Sequence, residues 1–183
     1  SVWYPAIELF TGMLFLISYY VFGLTTEFFI SIIISSLVSI IFVSDINYYI
    51  ILDSPLVIGS FLIIIIKLIS FGLKEALISI GSGLLVFGVM YLIMLLGNFI
   101  FKKESLGGGD IKLSFVAGLV LGPKLGIMYI VFGAFLAFPY AMYITIRNKE
   151  NMLPFGPFLI SSLLIIYLDY NFFLNFINTL FQI

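Results

Sequence analysis

Long apolar runs separated by short polar breaks make up most of this chain. The runs cover residues 8–24, 28–44, 55–71, 76–101, 111–122, 125–146 and 153–168, and an apolar tail follows Asp169. They lack the two-residue alternation that a lipid-facing barrel requires, whereas a helix satisfies its own backbone hydrogen bonds within lipid. Because about 20 apolar residues carry a helix across a bilayer, the pattern predicts about seven membrane segments. We therefore expect an all-α, polytopic transmembrane helix bundle that forms a single domain over residues 1–183.

The run at 111–122 is short for a full crossing. A dozen helical residues cover only about 18 Å at about 1.5 Å per residue, against a hydrocarbon core of about 30 Å. Two interpretations stay open for this segment. Either the membrane is thinned there, or Asp110, directly before the run, lies below the membrane surface.

Composition supports a membrane protein and removes several kinds of chemistry. Of the 183 residues, 63% are hydrophobic and 9% are charged, whereas soluble domains are about 25% charged. A net charge of -1 without a long basic run gives nucleic acid no surface to bind. His and Cys are both absent, which excludes a zinc site, a thiol nucleophile, a disulfide scaffold and a serine-histidine triad within this chain. Carboxylates, Lys, Tyr and Ser remain for catalysis.

The order of the runs predicts which polar breaks meet. Two runs separate the break that carries Asp45 and Asp53 from the break that carries Asp110, so both breaks emerge on one side. If all seven segments cross, that side receives five basic residues and the other receives three. They are Lys102, Lys103, Lys112, Arg147 and Lys149 on the first side and Lys67, Lys74 and Lys124 on the second. By the positive-inside rule this predicts that the aspartates face the cytoplasm, and a re-entrant segment at 111–122 would change the count.

Asp45 and Asp110 are the candidate catalytic residues. Asp45 directly follows an apolar run, and Asp110 stands where a helix should begin. Asp45 could instead be a hydrated loop carboxylate, and Asp110 could be a helix N-cap, but ionisable groups at membrane depth are often functional. Two carboxylates brought together in a low dielectric share one proton. The ionised member can then activate water while the protonated member polarises a carbonyl, so the pair can hydrolyse a peptide without metal, thiol or histidine.

Four residues around Asp110 are candidates for supporting the site. Gly107, Gly108 and Gly109 precede it, and glycines permit unusual backbone angles and the close approach of a substrate backbone. A flexible linker is the structural alternative, and no phosphate-binding loop follows. Lys112 could favour the charge of a nearby carboxylate, although a lysine at the end of a span more often reaches out to lipid headgroups.

Further candidates lie at the other polar breaks. Asp53 begins the third run before Ser54-Pro55, where we expect Asp or Ser to cap the helix. Glu8 could complement the positive end of the first helix. Before the last run, the two prolines around Phe155-Gly156 restrict the chain to a defined turn.

Together these residues resemble the type IV prepilin peptidases, which are GxGD intramembrane aspartic proteases, and the resemblance runs over nearly the whole chain. It rests on Tyr4-Pro5 with Glu8-Leu9 and Thr11-Gly12, on Asp45 with Asp53, on Gly107 to Leu113, and on Phe155-Gly156-Pro157-Phe158. Where the family usually has Pro-Asp, this chain has Leu52-Asp53. The resemblance implies that Asp45 and Asp110 are catalytic, and it makes Glu8, Asp53, Phe155, Gly156 and Pro157 candidates for contacting the substrate or shaping the site.

The same resemblance implies a substrate and a place in the cell. Its members cut the short basic leader from prepilins or pseudopilins at the cytoplasmic face of the plasma membrane, after a Gly that precedes the pilin's hydrophobic helix. An acidic pair suits a basic leader, and spans embedded in membrane lipid suit an apolar helix. Proteolysis needs no cofactor. If the methyltransferase activity of many members is retained, S-adenosylmethionine would be its cofactor.

Several alternatives stay open from the sequence. An archaeal preflagellin peptidase shares the two-aspartate chemistry. Bacterial members usually carry a further span and a segment with paired Cys-x-x-Cys motifs, so we interpret this chain either as a fragment or as a minimal protease. A small proton-coupled transporter would hold its carboxylates near the middle of spans. A purely structural membrane subunit would use them only as helix caps.

Overall fold

The protein is built from α-helices alone in the part of the chain that the structure, a computed structural model, describes. That part comprises residues 3–102, 106–148 and 153–181. Its helices are α1 (Trp3–Phe22), α2 (Thr26–Tyr48), α3 (Asp53–Phe71), α4 (Leu73–Phe101), α5 (Gly108–Asn148), α6 (Gly156–Leu168) and α7 (Tyr170–Phe181). The predicted all-α fold is confirmed. Lys103 and Lys149, which entered the prediction of orientation, lie outside the described residues.

Length and composition make α1 to α5 candidate membrane spans within the described residues. The pair α6 and α7, bent by 94° at Asp169, would make a sixth if both belong to one span. The sequence predicted about seven segments, more than these five or six candidate spans, for two reasons. The predicted segments 111–122 and 125–146 both fall within α5, and α6 alone has 13 residues, too few for a full crossing.

The helix α5 is folded back on itself at Gly122. Its 41 residues would extend about 60 Å if straight, twice the thickness of a hydrocarbon core. Gly122 breaks the helix with φ 76° and ψ -177°. A Cβ placed on Gly126 would lie 3.5 Å from the Gly118 Cα, whereas positions eight apart in a straight helix are about 12 Å apart. The predicted segments 111–122 and 125–146 are therefore the two antiparallel arms of α5.

Lys67 stabilises the end of the first arm of α5. The Leu119 carbonyl would normally accept a hydrogen bond from the N–H of residue 123, but Pro123 has none. The Lys67 ammonium donates to this carbonyl at 2.7 Å and to the Ser79 hydroxyl at 2.9 Å. The lysine thus replaces a backbone donor at a helix break inside the bundle, where an unpaired carbonyl would be costly.

Removing the Lys67 ammonium should destabilise the bundle. Because Lys67→Met leaves the Leu119 carbonyl without this donor, we expect it to lower the free energy of unfolding by about 2 kcal/mol. Denaturant unfolding of the purified protein in detergent measures the difference. Lys74→Met is the matched control, since Lys74 is exposed near the start of α4, at the same end of the bundle. Equal stability of the two variants would show that Lys67 does not fill this role.

The helices surround a shared apolar core. Neighbours pack in the order α2, α3, α4, α5 and α6, and α6 returns to α2, while α1 packs outside on α2. Ile34, Leu113 and Leu159 are fully buried in the centre. Where α4 meets α5, a Cβ on Gly118 would lie 2.5 Å from the Ser82 carbonyl oxygen, so only glycine permits this approach. The arrangement brings the end of α2 and the starts of α3, α5 and α6 to one end of the bundle.

Candidate active site

Asp45 lies buried in the last turn of α2. The helix ends at Tyr49, which adopts φ 54° and donates its N–H to the Asp45 carbonyl at 2.9 Å. The Asp45 side chain is 5% exposed, and its Oδ2 accepts the Gly156 N–H at 2.9 Å. A buried carboxylate requires such a donor, because burial without a partner is costly. The hydrogen bond ties the end of α2 to the start of α6.

Gly156 supplies this hydrogen bond because it is the first residue of α6. The N–H groups in the first turn of a helix have no partner within the helix and are free to bind a carboxylate. A Cβ on Gly156 would lie 2.9 Å from Asp45 Oδ2 and 2.8 Å from Ile51 Cδ1. Pro157 is buried in the first turn of α6, and Phe155 packs against the core. A side chain at position 156 would push directly on the Asp45 carboxylate.

Asp110 occupies the first turn of α5 and is also buried, with 7% of it exposed. Its Oδ2 accepts the Gly107 N–H at 3.2 Å, and its own N–H donates to the Gly107 carbonyl at 3.2 Å. One turn further on, the Ser114 hydroxyl donates to the Asp110 carbonyl at 2.9 Å. The Asp110 carboxylate therefore acts as a partial helix cap, because it accepts a hydrogen bond from a backbone N–H at the start of α5. This contact engages only one of its two carboxylate oxygens.

The two aspartates meet at the same end of the bundle, as the order of the spans predicted. Their carboxylates are close enough to interact electrostatically. Ile51, in the connection between α2 and α3, packs against both surrounding loops. A Cβ on Gly109 would lie 2.6 Å from Ile51 Cβ, and one on Gly156 would lie 2.8 Å from Ile51 Cδ1. The site is thus a pair of buried carboxylates at the ends of α2 and α5, with Ile51 packed beside them.

Asp53 and Lys112 form an ion pair beside this site. The Lys112 ammonium and Asp53 Oδ2 are 2.6 Å apart, with side chains 50% and 59% exposed. The expectation that Asp53 or Ser54 caps α3 is wrong, because the N-cap is Leu52 and no side chain bonds there. Lys112 pairs with Asp53 across the α3–α5 contact, 59 positions away in the chain. Such exposed pairs contribute about 0 to 1 kcal/mol, so this ion pair adds little to the stability of the protein.

The sequence analysis explained the three glycines before Asp110 by unusual backbone angles, and the structure gives a different reason. Among the described glycines, positive φ occurs at Gly23, Gly72 and Gly122 but at none of the three glycines before Asp110. Gly109 is required by packing, since Ile51 occupies the space that a side chain would need. Gly108 has no atom within 4 Å of its Cβ position. Unusual backbone angles therefore do not explain this glycine run.

Glu8 remains a candidate without an assigned contact. It is exposed on α1, in the second turn of that helix. Phe10, two positions after Glu8, packs against Phe42 of α2, so Glu8 lies toward the same end of the bundle as Asp45. Its predicted part in shaping the site or contacting substrate stays a prediction.

Sequence reasoning missed Tyr129, which lies near Asp110 on the second arm of α5. Its hydroxyl is fully buried and has no hydrogen-bond partner in the described part of the chain. Ser114 is beside it, and Asp110 is within electrostatic range. A tyrosine in an apolar run is indistinguishable from core packing by pattern alone, and only the turn at Gly122 brings it back beside the first arm. Polar groups thus extend below Asp110 into the bundle.

The sequence matches a family of known proteins. Residues 32–142 match the family model described as the type IV leader peptidase family. This chain belongs to that family. The matched segment contains both Asp45 and Asp110, whereas Glu8 and the Phe155-Gly156-Pro157 turn lie outside it. The resemblance noted in the sequence is therefore confirmed at the level of the family.

A curated relative of this leader peptidase family member agrees. The chain is 30% identical over 173 residues to the prepilin leader peptidase/N-methyltransferase of Bacillus subtilis (strain 168). The alignment covers 92% of this chain and 66% of that protein, so the chain spans just under two thirds of the relative's length. No solved structure matches the chain.

Proposed function

We propose that this protein is a membrane-embedded aspartic endopeptidase that removes the short basic leader of type IV prepilins or pseudopilins. The observation that carries the proposal is that two buried carboxylates, Asp45 and Asp110, lie at one end of an apolar bundle, with Ile51 packed beside both. Both lie near helix ends and not at mid-span, where a proton-coupled transporter would hold its carboxylates. We place this end at the cytoplasmic face of the plasma membrane, in line with the positive-inside count.

The proposed mechanism needs only the pair and a water molecule. The ionised carboxylate takes a proton from the water as its oxygen attacks the scissile carbonyl carbon, while the protonated carboxylate donates a hydrogen bond to the carbonyl oxygen. A tetrahedral intermediate forms. When it collapses, the C–N bond breaks and a proton passes from the pair to the leaving amine. The products are the leader carboxylate and the amine at the new N-terminus.

The backbone contacts support this chemistry by fixing the carboxylates. Each aspartate has its Oδ2 bonded to a glycine N–H, Gly156 for Asp45 and Gly107 for Asp110. A reacting group held in one orientation does not have to be ordered during the reaction, which lowers the barrier. The two N–H bonds leave the opposite oxygen of each carboxylate for water or substrate.

The acidic pair and the apolar spans suit a substrate with a basic leader followed by an apolar helix. A leader rich in Lys or Arg is attracted to the end of the bundle that carries Asp45 and Asp110, and the apolar helix behind the cut can pack against membrane spans. An archaeal preflagellin has similar chemistry and is the alternative substrate.

The direct test is cleavage of a purified prepilin by the chain in liposomes, read as a mobility shift, with the cut position found by mass spectrometry. We expect the leader to be removed after the Gly that precedes the hydrophobic helix. A prepilin in which that Gly is replaced by a bulky residue is the matched control and should stay intact. If the wild-type chain leaves prepilin uncut while binding it, the endopeptidase proposal is wrong.

We propose methylation of the new N-terminus as a separate activity, which the name of the Bacillus relative suggests. No residue of the described part of the chain is assigned to hold S-adenosylmethionine, and the peptidase mechanism uses none. Mass spectrometry of the cleaved product, with and without S-adenosylmethionine, reads the two activities separately. An added methyl group in its presence supports the second activity, and an unchanged mass excludes it for this chain.

A further inference from the structure

A polar cavity lies at the opposite end of the bundle from the two aspartates, and the proposed peptidase chemistry does not use it. Its volume is about 380 Å³, and Glu27, Lys67, Glu75 and Tyr167 are among the residues that line it. The walls come from the ends of α1, α3 and α6, the starts of α2, α4 and α7, and the first arm of α5. Ionisable groups within or beside membrane spans are costly to keep and are often functional.

The cavity holds two carboxylates and one ammonium group. Lys67 points inward from α3 and donates two hydrogen bonds, to Ser79 and to the Leu119 carbonyl. An ammonium has three donors, so one remains for a ligand. Glu27 and Glu75 both attract the Lys67 charge. With a formal excess of one negative charge, the cavity favours a ligand that carries a cationic group beside an acceptor.

The two carboxylates have different surroundings. The Tyr167 hydroxyl donates to the Glu27 carboxylate, which ties Glu27 to the end of α6, and Glu27 is half-buried. Glu75 is exposed in the first turn of α4, so it stands where the cavity opens. A cationic group entering from outside would meet Glu75 before it reaches Lys67.

The position of the cavity indicates a lipid. Phe22 and Phe71, the last residues of the candidate spans α1 and α3, line it, so it lies at the depth of span ends, where phospholipid headgroups lie. The aromatic side chains offer an apolar border to the glycerol and the upper acyl chains. A headgroup there would place its phosphate within reach of the remaining Lys67 donor and its cation beside Glu75.

We propose that this cavity binds the headgroup of a phospholipid with a primary ammonium, of the phosphatidylethanolamine type. Its ammonium N–H groups donate to the Glu75 and Glu27 carboxylates, and its phosphate accepts from Lys67. Charge-assisted hydrogen bonds of this kind are strong where water is scarce. A choline headgroup has the same charge but no N–H to donate, and a phosphatidylglycerol headgroup has no cation. The site therefore distinguishes ethanolamine from both.

Native mass spectrometry of the full chain in detergent, titrated with lipids of identical acyl chains, tests this. We expect phosphatidylethanolamine to bind at least about tenfold more tightly than phosphatidylcholine or phosphatidylglycerol, corresponding to about 1.4 kcal/mol. Glu75→Gln should weaken phosphatidylethanolamine binding by about tenfold without weakening phosphatidylglycerol binding. Because Glu75 is exposed, this variant does not disturb the core.

Lys74→Met is the matched control, since it changes an exposed charge at the neighbouring position and should leave lipid binding unaltered. Equal binding of the ethanolamine and choline lipids would overturn the proposal, as would a preference for phosphatidylglycerol. Unchanged phosphatidylethanolamine binding in Glu75→Gln would also overturn it. None of these results depends on peptidase activity.

Discussion

Asp45→Asn and Asp110→Asn should each reduce prepilin cleavage by about a hundredfold to ten-thousandfold, the range over which general acid-base groups contribute. The amide cannot take a proton from water or deliver one to the leaving amine, so either change removes one half of the pair. Asn has nearly the same size as Asp and keeps an oxygen that can accept the Gly156 or Gly107 N–H. Initial cleavage rates of the two variants in liposomes, at equal amounts of inserted protein, measure the effect.

The control for these variants is Asp169→Asn. Asp169 is exposed at the end of α6, at the opposite end of the bundle from the pair. The Asp169→Asn variant should therefore cleave prepilin at the wild-type rate. Thermal unfolding in detergent shows whether each variant is folded. A folded Asp45→Asn or Asp110→Asn protein with wild-type activity would contradict the two-carboxylate mechanism.

Much of the fold could be predicted from the sequence because lipid imposes a simple rule. Backbone groups within a bilayer must pair locally, so an apolar run of sufficient length becomes a helix. The order of the runs then determined that Asp45 and Asp110 share one end. The predicted runs 111–122 and 125–146 are separated at the observed break, where glycine adopts the positive φ of the turn at Gly122 and proline tolerates the first position of the arm that follows.

The missed features depend on contacts between distant positions. Lys67 reads as a lysine near the end of a span, yet it turns inward because Pro123 leaves the Leu119 carbonyl without a donor. Nothing local shows that Lys112 pairs with Asp53, since the contact depends on how α3 packs against α5. Ile51 looks like any loop residue until the ends of α2, α5 and α6 meet around it.

The second large effect is expected at Gly156, a position with no ionisable group. Gly156→Ala places a methyl group 2.9 Å from Asp45 Oδ2 and 2.8 Å from Ile51 Cδ1, closer than ordinary contacts permit. Either the carboxylate or α6 must shift, and displacing a catalytic group by about 1 Å can cost about a hundredfold in rate. We therefore expect about a hundredfold slower cleavage, with prepilin binding largely retained. Gly88→Ala, in a position with nothing within 4 Å, is the matched control.

The double variant Gly156→Ala with Ile51→Ala separates the two clashes. Shortening Ile51 removes the Cδ1 atom but leaves Asp45 Oδ2 in the path of the new methyl group. If the position of Asp45 limits the reaction, the double variant stays slow, because the carboxylate is still displaced from the Gly156 N–H. Full recovery of the rate would instead assign the loss to crowding at Ile51 and would contradict the idea that Gly156 orients the Asp45 carboxylate. Ile51→Ala alone supplies the reference rate for this comparison.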